Sequence, residues 1–179
     1  MDFISGLFPI VVMVLLVILL IKYLGGSRLT QDQIVEQWTT LVGQGSGNAD
    51  DVYNVITDVM KSAEPPGVTW SRQEIHAGGL LYGKKYDGLR VNNPLLRDYK
   101  IYIFVYDYGT SLHVAWFMTF QKVFLRRVQR MDIPQQLELS AYAQTVHSAT
   151  KNAVQVLMEK LEQDFSKVNT RTKGFLEFW

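Results

Sequence analysis

The 179 residues carry a formal charge of only +1, so no domain-wide positive field favours nucleic acid, and no nucleic-acid partner is expected. Cysteine is absent, which removes disulfides, thiolate metal sites and cysteine nucleophiles together and suits a cytoplasmic location. Nine Phe, nine Tyr and four Trp are many for this length, so where they fall is informative.

The run from Phe3 to Ile21 holds no charged residue and ends at Lys22. At about 1.5 Å of rise per residue it approaches the roughly 30 Å of a bilayer core. Val11 to Ile21 is apolar on every face, as lipid requires, and Pro9 lies in the first turns, where it removes little hydrogen bonding. The segment before the run carries Asp2 rather than basic residues, and no small-residue cleavage pattern follows it. It therefore reads as a retained anchor and not as a cleaved signal. Phe8, Val11, Leu15 and Leu19 represent its lipid-facing positions, while Lys22 and Tyr23 suit the headgroup layer. Lys22 and Arg28 follow the run and no Lys or Arg precedes it, which places the remainder of the chain in the cytoplasm of a single-pass cell-membrane protein. The expected organisation is an anchor at 1–25, a soluble domain at 26–168 and an aromatic tail at 169–179.

Within the domain, Thr30 and Gln33 have capping-box spacing, and Ile34, Trp38, Leu41 and Val42 fall on one helical face. A helix is expected there, stopped by Gly43 to Gly47. Asn48 and Asp51 open a second helix with the stripe Val52, Val55, Ile56, Val59 and Met60, ended by Pro65-Pro66-Gly67. Strands follow at Val68–Ile75 and Leu80–Tyr86, and the Asp87-Gly88 pair predicts a turn before Leu89–Val91. Lys100–Tyr108 and Leu112–Phe120 form the clearest hairpin, joined around Gly109-Thr110-Ser111. A long final helix runs from about Ile133 to Phe165. Asp132 caps it, Pro134 lies in its first turn, and its stripe passes through Tyr142, Val146, Ala149, Ala153, Val156, Leu157, Leu161 and Phe165. The fold class is α+β: an antiparallel sheet packed against two short helices and one long C-terminal helix.

The hairpin strands are apolar on both faces, whereas a half-exposed sheet alternates apolar with polar. Two readings compete: helices covering each face, or an apolar ligand or partner protein on one of them. A lipid-like ligand held between sheet and long helix would be lined by Tyr102, Phe104, Tyr106, Trp116, Val146 and Leu157. The segment Phe120 to Met131 interleaves apolar residues with Lys122, Arg126, Arg127 and Arg130. With Phe124 these form a candidate membrane-surface contact, weighed against a continuing strand and solvated loop. Phe175, Leu176, Phe178 and Trp179 are candidates for docking into a partner or back onto the domain.

Catalytic signals are poor. His76, His113 and His147 are scattered, without metal-ligand spacing, and neither Gly25-Gly26 nor Gly78-Gly79 belongs to a phosphate loop. Asp107, between Tyr106 and Tyr108, reads as a hairpin-end carboxylate bonding turn amides. The expectation is a non-catalytic binding or scaffolding protein of a membrane-associated assembly. It would have no metal and no cofactor; its partners would be the lipid bilayer and a protein or a second copy of itself. A tethered carrier or sensor of a lipid-like ligand is the alternative.

Overall fold

In a computed structural model of the chain, the described residues are 12–16, 28–29, 34–77, 84–120 and 132–174. Residues 12–16 are helical and exposed. Of the anchor positions only Leu15 is among them; Phe8, Val11, Leu19, Lys22 and Tyr23 lie outside the described residues, and no helix among the described residues is long and apolar enough to cross a membrane.

Strands β1 (Arg28–Leu29), β2 (Ile34–Val42), β3 (Thr69–Ala77), β4 (Lys84–Asn92), β5 (Tyr99–Tyr108), β6 (Ser111–Phe120) and β7 (Lys173–Gly174) form one sheet in the order β1-β3-β4-β5-β6-β2-β7. Six strands pair antiparallel, and β1 joins the β3 edge in parallel. Helices α1 (Ala49–Ala63) and α2 (Ile133–Lys160) complete the α+β architecture.

The hairpin forms as its sequence predicts, with Gly109 at φ +62° in the turn and Tyr108 opposite Ser111. Helix α2 starts where expected: the Asp132 carboxylate accepts from the Gln135 amide at 2.9 Å. It ends at Lys160 rather than near Phe165, which instead opens a short 3-10 turn. Val156 is 43 % exposed, so the apolar stripe bypasses it.

Two expectations are corrected. Residues 34–42 are a strand, not a helix. Trp38 and Val42 are four apart and share a side in a strand as well as in a helix, while a bulge between Ile34 and Glu36 sets Ile34 opposite Thr119 on the other face. Leu41 also leaves the expected stripe: it is 53 % exposed beside buried Val42. The β-branched residues Ile34, Val35, Thr39, Thr40 and Val42 favour the pleated form. Asp87-Gly88, moreover, is no turn. It lies inside a continuous β4, and Gly88 is buried between strands.

Both helices pack on one face of the sheet and against each other, not on opposite faces. Trp38, Leu89, Val91, Ile101, Ile103, Val105, Leu112, Val114, Trp116 and Met118 point into this layer and meet Val52, Ile56 and Met60 of α1 and Leu139, Val146, Ala153 and Leu157 of α2. Each large side chain buried this completely contributes roughly 1.5–3 kcal/mol.

Polar pins cross the layer. The Tyr53 hydroxyl donates to the Asp87 carbonyl at 3.0 Å and accepts from the Val105 amide at 2.9 Å, tying α1 to two strands. Burial pushes this phenol up to about 12. Tyr53→Phe is expected to lower stability by about 1–2 kcal/mol, because it strands a buried amide and carbonyl. Urea unfolding of the two proteins measures the difference, and equal midpoints would contradict it.

The chain beyond α2 stays on the domain through Gly174. The Gln163 side chain donates to the Gly43 carbonyl at 2.6 Å, Trp38 Nε1 donates to the Asn169 carbonyl at 2.7 Å, and Thr172 is buried. The folded unit therefore extends past residue 168. Gly174, at φ +146°, pairs with Glu36 so closely that a Cβ would strike the Val35 carbonyl.

Candidate functional site

Because side chains alternate along a strand, the register sorts every residue onto one of two faces. The helix-covered face takes Leu89, Ile103 and Trp116, and the other takes Ile75, Tyr86, Tyr102, Phe104, Tyr106, His113 and Phe117. No described helix packs on this second face. Its aromatic rings pack edge to edge: Tyr86 on Phe104 at 6.0 Å, Tyr86 on Tyr106 at 5.3 Å, Phe104 on Phe117 at 6.0 Å and Tyr106 on His113 at 4.9 Å between centroids. Tilted and T-shaped arrangements of this kind suit the ring quadrupoles.

Ile75, Tyr102 and Phe104 are buried, whereas Tyr86, Tyr106, His113 and Phe117 are half-buried. At the end of the face where β5 turns into β6, Tyr108 is 69 % and Leu41 is 53 % exposed. His113 Nε2 lies 2.9 Å from the Thr39 hydroxyl, and burial holds its pKa below the ordinary value. The imidazole therefore stays neutral near pH 7, as part of an aromatic surface rather than a charged one.

The six residues proposed to line a ligand pocket do not meet. Tyr102, Phe104 and Tyr106 are on the second face, while Trp116, Val146 and Leu157 are in the helix layer. The sheet stands between the two sets. The candidate surface contacts Lys122, Phe124, Arg126, Arg127 and Arg130 lie outside the described residues, as do the tail residues Phe175, Leu176, Phe178 and Trp179.

Among the described residues, His113, Glu74 and Asp107 do not converge. His113 is on the second sheet face, Glu74 pairs with Lys85 on β3 and β4, and Asp107 accepts from the Gly47 amide at 2.9 Å. Among the described residues no cluster of three or more His, Asp and Glu could hold a metal ion.

Sequence reasoning placed His147 only beside a stripe. The structure puts it at the junction of α2, β2, β6 and the segment after α2. Trp116 Nε1 donates to its Nδ1 at 3.2 Å, and the rings of Trp38 and Trp116 stand 5.5 and 5.9 Å away. An indole nitrogen only donates, so Nδ1 accepts and the proton of His147 belongs on Nε2, with the Thr170 backbone as a further neighbour of the ring. Burial, with Lys151 adding to it, lowers the His147 pKa to about 4. No sequence spacing announces this cluster, because its members come from four separate elements.

Comparison of the chain with protein-family models, with curated proteins and with solved structures finds no match. The reading of function therefore rests on the faces themselves.

Proposed function

We propose that this chain is a single-pass, membrane-anchored, non-catalytic binding or scaffolding component of a membrane-associated assembly, with its domain in the cytoplasm. The observation that supports the reading is the second sheet face, where half-buried Tyr86, Tyr106 and Phe117 form an aromatic cluster around buried Ile75, Tyr102 and Phe104, with no described helix packed on it. A sheet that is apolar on both faces, with half-exposed aromatics on the second, is unlike an ordinary solvent-facing sheet and suits an interface. The uncharged run from Phe3 to Ile21 supplies the anchor.

A second surface suits a protein partner. Asn93 Nδ2 reaches Glu138 Oε1 at 3.5 Å, which brings the turn holding Leu95 beside the first turns of α2. Leu95, Ile133 and Leu137 are 73, 72 and 67 % exposed there.

Alkaline carbonate should leave the full chain in the membrane pellet, and purification in mild detergent should bring down a stoichiometric partner. Leu137→Glu should lose that partner at unchanged melting temperature. Release by carbonate would sink the anchor, and a lone monomer in detergent would sink the scaffold.

A further inference from the structure

Helix α2 ends without a local stop. Glu162 follows it at φ +55°, in the left-handed region; its amide returns to the Glu159 carbonyl and that of Gln163 to the Met158 carbonyl, at 3.1 and 2.8 Å. Glycine is usual at such a cap, because a Cβ there crowds the backbone. Helix α1 also ends on a left-handed glutamate, Glu64 at φ +42°, but Pro65 and Pro66 follow and bar another turn. After Lys160 the chain offers Leu161, Glu162 and Gln163, all good helix formers, and neither Gly nor Pro before Gly174. The helical stripe of the sequence accordingly runs on to Phe165, past the observed end of α2.

What turns the chain back is the strap beyond the helix. It follows the outer edge of β2 from Gly43 down to Glu36. Gln163 holds the Gly43 carbonyl, the Asn169 carbonyl accepts from Trp38, and Lys173 and Gly174 pair with Gln37 and Glu36. Phe165 and Val168 pack on the helix layer. Upstream, the Lys160 ammonium donates to Asn48 and Asp51 at 3.2 and 2.9 Å, which pins the last turn of α2 to α1. The left-handed glutamate lies between these two fixed points, where a hinge would be.

We propose that the strap exchanges between two copies of this chain, residues 166–174 of each lying on β2 of the other. In the exchanged form α2 continues through Phe165 and Glu162 takes the helical conformation. The contacts of Val168, Asn169, Lys173 and Gly174 are remade between chains with the same atoms, so the hinge and the concentration decide the balance. Exchange gives up the Gln163 bond to Gly43 and the Asp164 carboxylate's bond to the Ser166 amide, both exposed. It gains a further turn of helix and releases the left-handed glutamate in each copy. The partner is thus a second copy and its seat is the β2 edge, independent of the anchor and of what the sheet faces bind.

The test uses the full chain in detergent. It lacks cysteine, so introduced thiols pair only with each other. Gln37 and Lys173 stand opposite each other, both reach solvent, and directly opposed residues lie at a separation a disulfide spans. A chain with Gln37→Cys, mixed with one carrying Lys173→Cys and then oxidised, should give a covalent dimer containing one of each, identified by mass. Ser71→Cys, exposed on β3, mixed with Lys173→Cys should give only collisional background. Glu162→Gly, which suits the left-handed turn, should cut the mixed dimer about tenfold, and Glu162→Ala should raise it. A chain carrying both Gln37→Cys and Lys173→Cys establishes that the pair can form. If that chain closes on itself while the mixed single variants stay monomeric, the inference is overturned. A mixed dimer indifferent to both Glu162 variants also overturns it. Should the pair fail to oxidise even within one chain, light scattering decides: a single copy at every concentration overturns the exchange, and two copies that revert to one on Glu162→Gly support it.

Discussion

Replacing His147 with alanine is expected to lower stability by about 3 kcal/mol. The change leaves a cavity among Trp38, Trp116 and α2, strands the Trp116 indole N–H, and removes the hold on Thr170. Urea unfolding followed by tryptophan fluorescence reads both the midpoint and the altered surroundings of the indoles. A pH dependence accompanies it. The unfolded imidazole titrates near 6.5, whereas the folded one resists protonation down to about 4. Between those values the unfolded chain binds more protons. The stability contributed by neutral His147 is thus complete above about pH 6.5 and lost as pH falls towards 4, on the order of 2–3 kcal/mol in all. His147→Phe should flatten that part of the stability–pH curve. Parallel curves for the two proteins would show that the acid sensitivity arises elsewhere.

Gly88→Val is expected to prevent the sheet from closing, and Gly88→Ala to cost about 1–3 kcal/mol. A Cβ at this position would come within 2.6 Å of Ile75 Cδ1, 3.0 Å of the Ile103 carbonyl and 3.1 Å of Phe104 Cδ1. The Ile75 methyl can swing aside, but the Ile103 carbonyl belongs to the paired strand β5 and cannot. Ile75 and Phe104 thus close over bare backbone, and the aromatic packing of Tyr86 on Phe104 depends on that closeness. Thermal unfolding of the alanine variant, with solubility of the valine variant, checks this; wild-type behaviour of both would refute the packing argument.

The same glycine shows where sequence reading succeeded and where it stopped. Asp-Gly between apolar runs is a strong hairpin signal because Gly tolerates positive φ. Here Gly serves through its missing side chain, a role that depends on Ile75 and Phe104 from neighbouring strands. The hairpin at Gly109 and the Asp132 cap were legible because their determinants are local. Strand β2 was not, since Trp38 and Val42 satisfy both periods, and the partners that decide the strand and its bulge at Ile34, Thr119 to Leu112, lie far along the chain. Two-faced hydrophobicity was visible in β5 and β6, but the sorting of residues between the faces needed the register of every strand.

The position of β2 has a consequence for how the protein is made. It precedes β3 to β6 in the chain yet sits between β6 and β7, so Val42 must wait for Leu112 and Ile34 for Thr119. Among themselves, strands β3 to β6 pair in sequential order and form a meander of low contact order, which favours rapid assembly during synthesis. The newborn chain therefore carries an unpaired, β-branched strand until translation has passed Phe120. Its other edge stays open until Lys173 and Gly174 have emerged. Through that interval β2 is the segment most exposed to mispairing and aggregation, and the one a chaperone has most reason to hold.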